Sequence, residues 1–276
     1  MSNHSHLPNF IIVGAAKAGT TAVYYYLAQH PQIYVTPLKE TNYFALAGQK
    51  CAFAGPGDND YVNQLSITSE EAYRAQFDGV RDETAIGEAS PLYLYSPVAA
   101  QRIRETVPHA KIIAILRNPI DRAYSAFLHL LRDHREGERD FDQALRNEAE
   151  HIAANWEHIW HYIGMGRYFE QIKRYYDLFP REQIQIFLYR DLRADPRAVL
   201  RDVVRFVGAD ENFEFDISHR YNEASLPLGE RPPLLPATRA RLQNELRGDI
   251  LALQELIGHD LSHWLTPDLA EQEPKS

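Results

Sequence analysis

Cysteine is close to absent from this sequence: Cys51 stands alone among 276 residues. A lone thiol excludes an internal disulfide and any cysteine-cluster metal site, and it is expected to be inert. Long apolar runs are missing too. None approaches the ~20 residues that span a bilayer. The opening MSNHSHLPNF has no basic stretch followed by an apolar one, so neither a transmembrane segment nor a secretion signal is expected. The cytoplasm is the expected compartment. Positive charge is in deficit, with 29 Lys and Arg against 38 Asp and Glu, a net charge of -9. A surface of that sign repels polyanions, so nucleic acid is not an expected partner, and a long acidic polysaccharide would need a local basic groove. A small or neutral ligand suits the charge better. No pattern speaks to oligomeric state.

What is present suits a packed α/β protein, with 45% hydrophobic and 24% charged residues. NFIIV at 9–13 reads as a strand, and AVYYYLAQH at 22–30 as a helix ended by His30-Pro31. IYV at 33–35 is a second strand. The stretch 47–60, rich in glycine, reads as a loop, mobile over a site. TAIGEAS at 84–90, KIIAIL at 111–116 and QIQIFLY at 183–189 are further strands, the last two patterned for burial on both faces. Helices are expected at 120–133, with Asn118 as N-cap and Pro119 at the first helical position, and at 141–150, 168–179 and 196–207. The tail 236–264 reads as one or two helices. Alternating strands and helices predict a three-layer α/β, P-loop-like fold with a mainly parallel central sheet flanked by helices. No repeat or linker breaks the chain, so a single domain is expected over 9–265, with 1–8 and 266–276 as flexible tails.

Strand, GAAKAGTT, helix is an arrangement that binds phosphate. Backbone N–H groups of the turn and of the helix N-terminus converge there, and the helix dipole favours an anion. Gly14 and Gly19 allow close backbone approach, Thr20 and Thr21 add hydroxyls, and Lys17 adds a cation. A Walker A loop would place lysine directly after the second glycine, with Ser or Thr next to hold magnesium. Here Thr20 follows Gly19 and the lysine lies inside the loop, so the magnesium ligand loses its usual setting.

A second anion site is written in RNPIDRAYSAF at 117–127. Arg117 falls where a buried strand ends, the edge at which open parallel sheets bind ligands. Asn118 and Ser125 are two helical turns apart, near one helix face. Arg117 and Ser125 can therefore converge on one anion.

On these two motifs the chain resembles the sulfotransferase superfamily, more its heparan-sulfate and bacterial branch than its cytosolic branch. The resemblance implies 3'-phosphoadenosine 5'-phosphosulfate (PAPS) as sulfuryl donor and no metal. It assigns Lys17, Ala18, Gly19, Thr20 and Thr21 to the 5'-phosphosulfate, with Lys17 also meeting the charge on the leaving oxygen. It assigns Arg117 and Ser125 to the 3'-phosphate, with Arg122 in support or merely solvated. In PLKETNYF, where Phe44 lies four residues after Glu40, the branch places its catalytic glutamate, so Glu40 is the expected base. Lys39 orients the acceptor, pairs with Glu40 or is merely solvated. His129 and His134 are weaker base candidates. GEASPLYLY at 87–95 matches a family segment at Glu88 and Ser90 but has Ala89 where the family has lysine, which argues against a heparan-like acceptor. Glu88 either lines the acceptor pocket or is buried and structural. Gly166 and Tyr168 match a Gly-x-Tyr segment near the cofactor, although Tyr168 equally suits the core. Arg220 or Arg231 would close over the 3'-phosphate from the C-terminal loop.

The expected reaction moves the sulfuryl group directly, in line, to a hydroxyl or amine of a small-molecule, glycan or lipid acceptor. The rival readings are a nucleotide kinase using ATP and magnesium, and a non-catalytic nucleotide-binding relative.

Overall fold

The computed structural model describes residues 6–219, 221 and 226–266. Five strands form one sheet: β1 Phe10–Gly14, β2 Ile33–Val35, β3 Ala85–Ala89, β4 Lys111–Leu116 and β5 Ile184–Leu188. Their order is β2-β3-β1-β4-β5 and every neighbouring pair is parallel. Successive side chains of a strand point to opposite faces. Every residue of β1 is buried, as are the last five of β4, so both faces of the sheet are covered. The three-layer parallel arrangement expected from the sequence is the one observed.

The centre of the sheet is drawn tight by Gly87. A Cβ there would lie 2.2 Å from the Phe10 ring, so only glycine lets β1 and β3 pair at this register. The helices Thr20–Leu27 and Pro196–Val207 pack together, while Tyr168–Leu178 packs on Ala99–Thr106 and Pro236–Ile257. The core is continuous from Phe10 to Trp264. Among the described residues, no helix is long and apolar enough to cross a membrane.

Local details depart from the sequence pattern where tertiary contacts intervene. Tyr189 opens a short helix, Tyr189–Ala194, instead of ending β5. The expected helix at 141–150 is two, Phe141–Arg146 and Glu148–Ala153, meeting at Asn147. The tail is one helix, Pro236–Ile257, closed by Gly258 in the left-handed region and followed by the turn Ser262–Leu265. The stretch 47–60 is pinned: fully buried Asp58 accepts from Arg135 Nη2 at 2.6 Å, and Arg135 Nε donates to Pro56 O at 2.7 Å.

The strand order sets the site. β1 sits between β3 and β4, so the chain moves to one side of β1 and then to the other. Such a switch point opens a crevice at the carboxyl ends of the strands. The loop after β1, Glu40 after β2, Ser90 after β3, Arg117 after β4 and Tyr189 after β5 all fall on that edge.

Candidate active site

The loop between β1 and the Thr20–Leu27 helix is built by two backbone hydrogen bonds, Ala15 N–H to Ile115 O and Ala18 N–H to Ala15 O. Lys17 and Gly19 are left-handed, at φ 66° and 88°. Gly19 is also closed in by its neighbours, since a Cβ there would meet Leu192 Cδ2 at 2.7 Å. Among the described residues, no carbonyl accepts from the N–H groups of Lys17, Gly19, Thr20 or Thr21. Thr20 is buried and Thr21 half-buried. Such unfilled donors at a helix start, beside a lysine, fit a phosphosulfate or phosphate group.

The two anion motifs meet physically. Arg117 Nη1 donates to Lys17 O at 3.2 Å, and the guanidinium stacks 4.6 Å over the Tyr189 ring. Ser125 lies half-buried on the Pro119–Arg132 helix. That helix starts as expected, with Asn118 Oδ1 accepting from Ile120 N–H at 3.0 Å. Arg231 lies nearby in the C-terminal segment. Its Nε donates to Leu226 O at 2.6 Å, and Tyr124, next to Ser125, donates to Pro232 O. Arg220 falls outside the described residues.

Lys17 is crowded by charge. Its pKa is lowered to about 8, first by burial and then by Arg132 and Arg117, with Glu40 and Asp133 acting in the opposite direction. Arg132 grips Asp133 through two hydrogen bonds, at 2.6 and 3.0 Å. It also donates to His129 Nδ1 at 2.8 Å, which leaves the His129 proton on Nε2. Burial, then the Lys17 charge, push His129 down to about 4, so the ring is neutral near pH 7 and its 3.6 Å contact with Asp133 is not an ion pair. His134 is exposed and left-handed. The sequence reading singled out His129 but missed Arg132 and Asp133. The available signal was helical spacing, because they follow His129 by three and four residues.

Glu40 follows β2 on the same sheet edge, left-handed at φ 69°, with its N–H on Ala89 O at 3.0 Å. Its side chain is 47% exposed and pairs with Lys39 Nζ at 2.5 Å, so Lys39 takes the pairing role left open by the sequence. The Glu40 charge reaches both Lys17 and Glu157. Glu157 is pushed up to about 7 by burial, against the nearby Arg135 guanidinium at 2.9 Å.

Four expectations need correction. Glu88 does not line an open pocket: it is 1% exposed and both carboxylate oxygens are taken by buried hydroxyls. Burial pushes its pKa up while those hydroxyls pull it down. Tyr168 is 0% exposed and packs against Trp264, 6.2 Å between ring centroids, so it belongs to the core beneath the site. Gly166 is core as well, since a Cβ there would lie 2.9 Å from Pro119 Cβ. Arg122 is neither solvated nor in the site; it is fully buried and donates to Tyr162 O.

Comparison with known proteins gives one consistent result. Residues 8–213 match the profile of the Sulfotransferase family. The chain is similar to the membrane-associated sulfotransferase kil1 of Dictyostelium discoideum, 25% identical over 73% of this chain and 56% of that protein. It is also similar to bifunctional heparan sulfate N-deacetylase/N-sulfotransferase 4 of Mus musculus, 27% identical over 96% of this chain but 32% of that protein. The chain thus spans about half or less of these curated relatives. The crystal structure of a sulfotransferase from Alicyclobacillus acidocaldarius superposes with a TM-score of 0.85 at 42% identity, covering 94% of this chain and 99% of that one. The sulfotransferase domain from the curacin biosynthetic pathway shares the fold, at a TM-score of 0.53 and 14% identity over 93% of this chain and 99% of that one.

Proposed function

The chain belongs to the Sulfotransferase family, and from that premise we propose that it transfers a sulfuryl group from PAPS to an acceptor hydroxyl or amine, with Glu40 as base. The observation that carries this reading is that Lys17, in the loop after β1, and Glu40, after β2, share the carboxyl edge of the sheet, close enough for the Glu40 charge to bear on Lys17. The kinase reading draws no support from the family match.

The PAPS-binding part rests on the loop. The N–H groups of Lys17, Gly19, Thr20 and Thr21, in the loop that Ala18 closes, would hold the 5'-phosphosulfate, and Arg117, Ser125 and Arg231 the 3'-phosphate. In the reaction, Glu40 takes the acceptor proton as the acceptor–sulfur bond forms and the sulfur–oxygen bond to the phosphate breaks. Lys17 meets the charge left on that phosphate oxygen, which gives adenosine 3',5'-bisphosphate and a sulfated acceptor. Binding an anion beside Lys17 offsets the repulsion from Arg117 and Arg132, so the loop is best suited to a cargo with negative charge.

The acceptor class is inferred from how the charges around the site are paired. Lys39 is held by Glu40, Arg132 by Asp133, and Arg135 by Asp58 and Glu157. A site so neutralised favours an acceptor without dense negative charge, a small molecule, neutral glycan or lipid, over a heparan-like chain. Ala89 in place of the family's lysine agrees with that. The test is Glu40→Gln, assayed with sulfur-labelled PAPS and hydroxylated extracts. The reading expects normal binding of adenosine 3',5'-bisphosphate with transfer lost; equal transfer by the variant would remove Glu40 from the role of base.

A further inference from the structure

Three consecutive backbone amides follow Glu40 into a buried cluster centred on Glu88. Thr41 Oγ1 donates to Glu88 Oε2 at 2.6 Å, Ser90 Oγ to the same oxygen at 2.9 Å, and Tyr93 OH to Oε1 and Oε2 at 3.0 and 3.1 Å. Tyr73 OH donates to Oε1 at 2.6 Å. A hydroxyl has one proton, and giving it to a carboxylate leaves only lone pairs for other partners. Those lone pairs face the chain after Glu40. Asn42 N–H donates to Ser90 Oγ at 3.1 Å, Tyr43 N–H to Thr41 Oγ1 at 3.4 Å, and Phe44 N–H to Tyr93 OH at 3.3 Å.

The segment held in this way is one the chain does not adopt readily. Glu40 and Asn42 are both left-handed, at φ 69° and 56°. Asn tolerates that region, whereas a glutamate visits it at a cost that its surroundings must offset. Just before the cluster, Glu40 N–H is fixed on Ala89 O at 3.0 Å, and just after it Ile67 N–H closes on Thr41 O at 2.8 Å. The side chain of Glu40 itself is exposed and pairs with its own chain neighbour Lys39, so its direction depends on the backbone that carries both.

We propose that Glu88 is a positioning residue: by orienting the Thr41, Ser90 and Tyr93 hydroxyls as acceptors, it locks the backbone that aims the Glu40 carboxylate into the cleft. The cluster is sealed from solvent, so it acts on the reaction only through Glu40. The effect on rate rests on the reading of Glu40 as base; the effect on the backbone does not.

The experiment compares wild type with Thr41→Val, Thr41→Ser and Glu88→Gln. It reads hydrogen exchange of the 42–44 amides, affinity for adenosine 3',5'-bisphosphate, and release of that nucleotide from PAPS with water as acceptor. Thr41→Val and Glu88→Gln are expected to speed exchange at 42–44 by about tenfold or more, while β4 amides stay protected. Nucleotide affinity is expected to stay within about threefold, and cleavage to fall about 10- to 100-fold, as misplacement of a catalytic group predicts. Thr41→Ser, which keeps the hydroxyl, is expected to restore both. Unchanged exchange at 42–44 in Thr41→Val overturns the positioning role, as does failure of Thr41→Ser to restore it. Unaltered cleavage by Glu40→Gln would instead remove the base assignment and leave the exchange result standing.

Discussion

Arg117 reaches back one hundred residues to donate its Nη1 proton to the carbonyl oxygen of Lys17 at 3.2 Å. Two motifs that are separate in the chain therefore share one support. The guanidinium that would grip one phosphate also holds the loop that would grip the other, and Tyr189 fixes its plane from the side.

Removal of that support is expected to cost binding at both ends. Arg117→Ala should weaken adenosine 3',5'-bisphosphate by about 10- to 100-fold, the range for losing a charge-assisted hydrogen bond. Arg117→Lys should recover only part of this, because an ammonium cannot both stack on Tyr189 and reach Lys17 O. Titration calorimetry on the two variants checks it, and full recovery by lysine would show that charge alone matters.

The lowered pKa of Lys17 gives binding a pH signature. The folded value of about 8 lies below the ordinary 10.5, so the cation that attracts phosphate is lost as pH rises through about 8. Nucleotide affinity should fall between pH 7 and pH 9, and Lys17→Met should flatten that fall. Stability of the empty protein has the opposite sign. The unfolded chain keeps its proton to higher pH, so folding gains between about 8 and 10.5. An affinity that rises with pH in this window would rule out Lys17 as the titrating group.

Acid lability is expected from the histidines beside Trp160. His158 and His161 are both pushed down to about 4, first by burial. A folded value below the ordinary 6.5 means that the neutral ring favours the fold above pH 6.5, and that this stability is lost as pH falls toward 4. At pH 5 each should cost on the order of 1–2 kcal/mol. Urea unfolding at pH 7 and pH 5 measures the loss, and His158→Leu should make it smaller.

Much of this site is local in the chain, and that part could be read from the sequence. Gly14, Lys17, Gly19 and Thr20 sit together because they belong to one short loop, and Asn118 with Pro119 starts its helix by a cap that needs only Ile120. The clusters around Glu88 and Arg135 could not be read in this way. Glu88 gathers hydroxyls from Thr41, Tyr73, Ser90 and Tyr93, and its burial follows from sheet order, which no local pattern encodes. Tyr168 has the residue type expected beside a nucleotide, yet packing against Trp264 takes it into the core. The glycines of 47–60 signalled a mobile loop, but Asp58 finds Arg135 far along the chain and is buried with it.

That last pair carries its own expectation. Arg135 is 8% and Asp58 0% exposed at the side chain, and the guanidinium also covers the Trp160 ring at 4.6 Å. Arg135→Ala would leave a buried carboxylate without its partner, at about 3–5 kcal/mol. Limited proteolysis should then cut within 47–60, where the wild type is expected to resist; an unchanged digestion pattern would mean the loop is held by other contacts.

The most direct test of the account is calorimetry of the purified protein with two nucleotides. Adenosine 3',5'-bisphosphate should bind one to one without added metal, and Lys17→Met and Arg117→Ala should each weaken it. A protein that ignored this nucleotide and took up ATP only with magnesium would contradict the account.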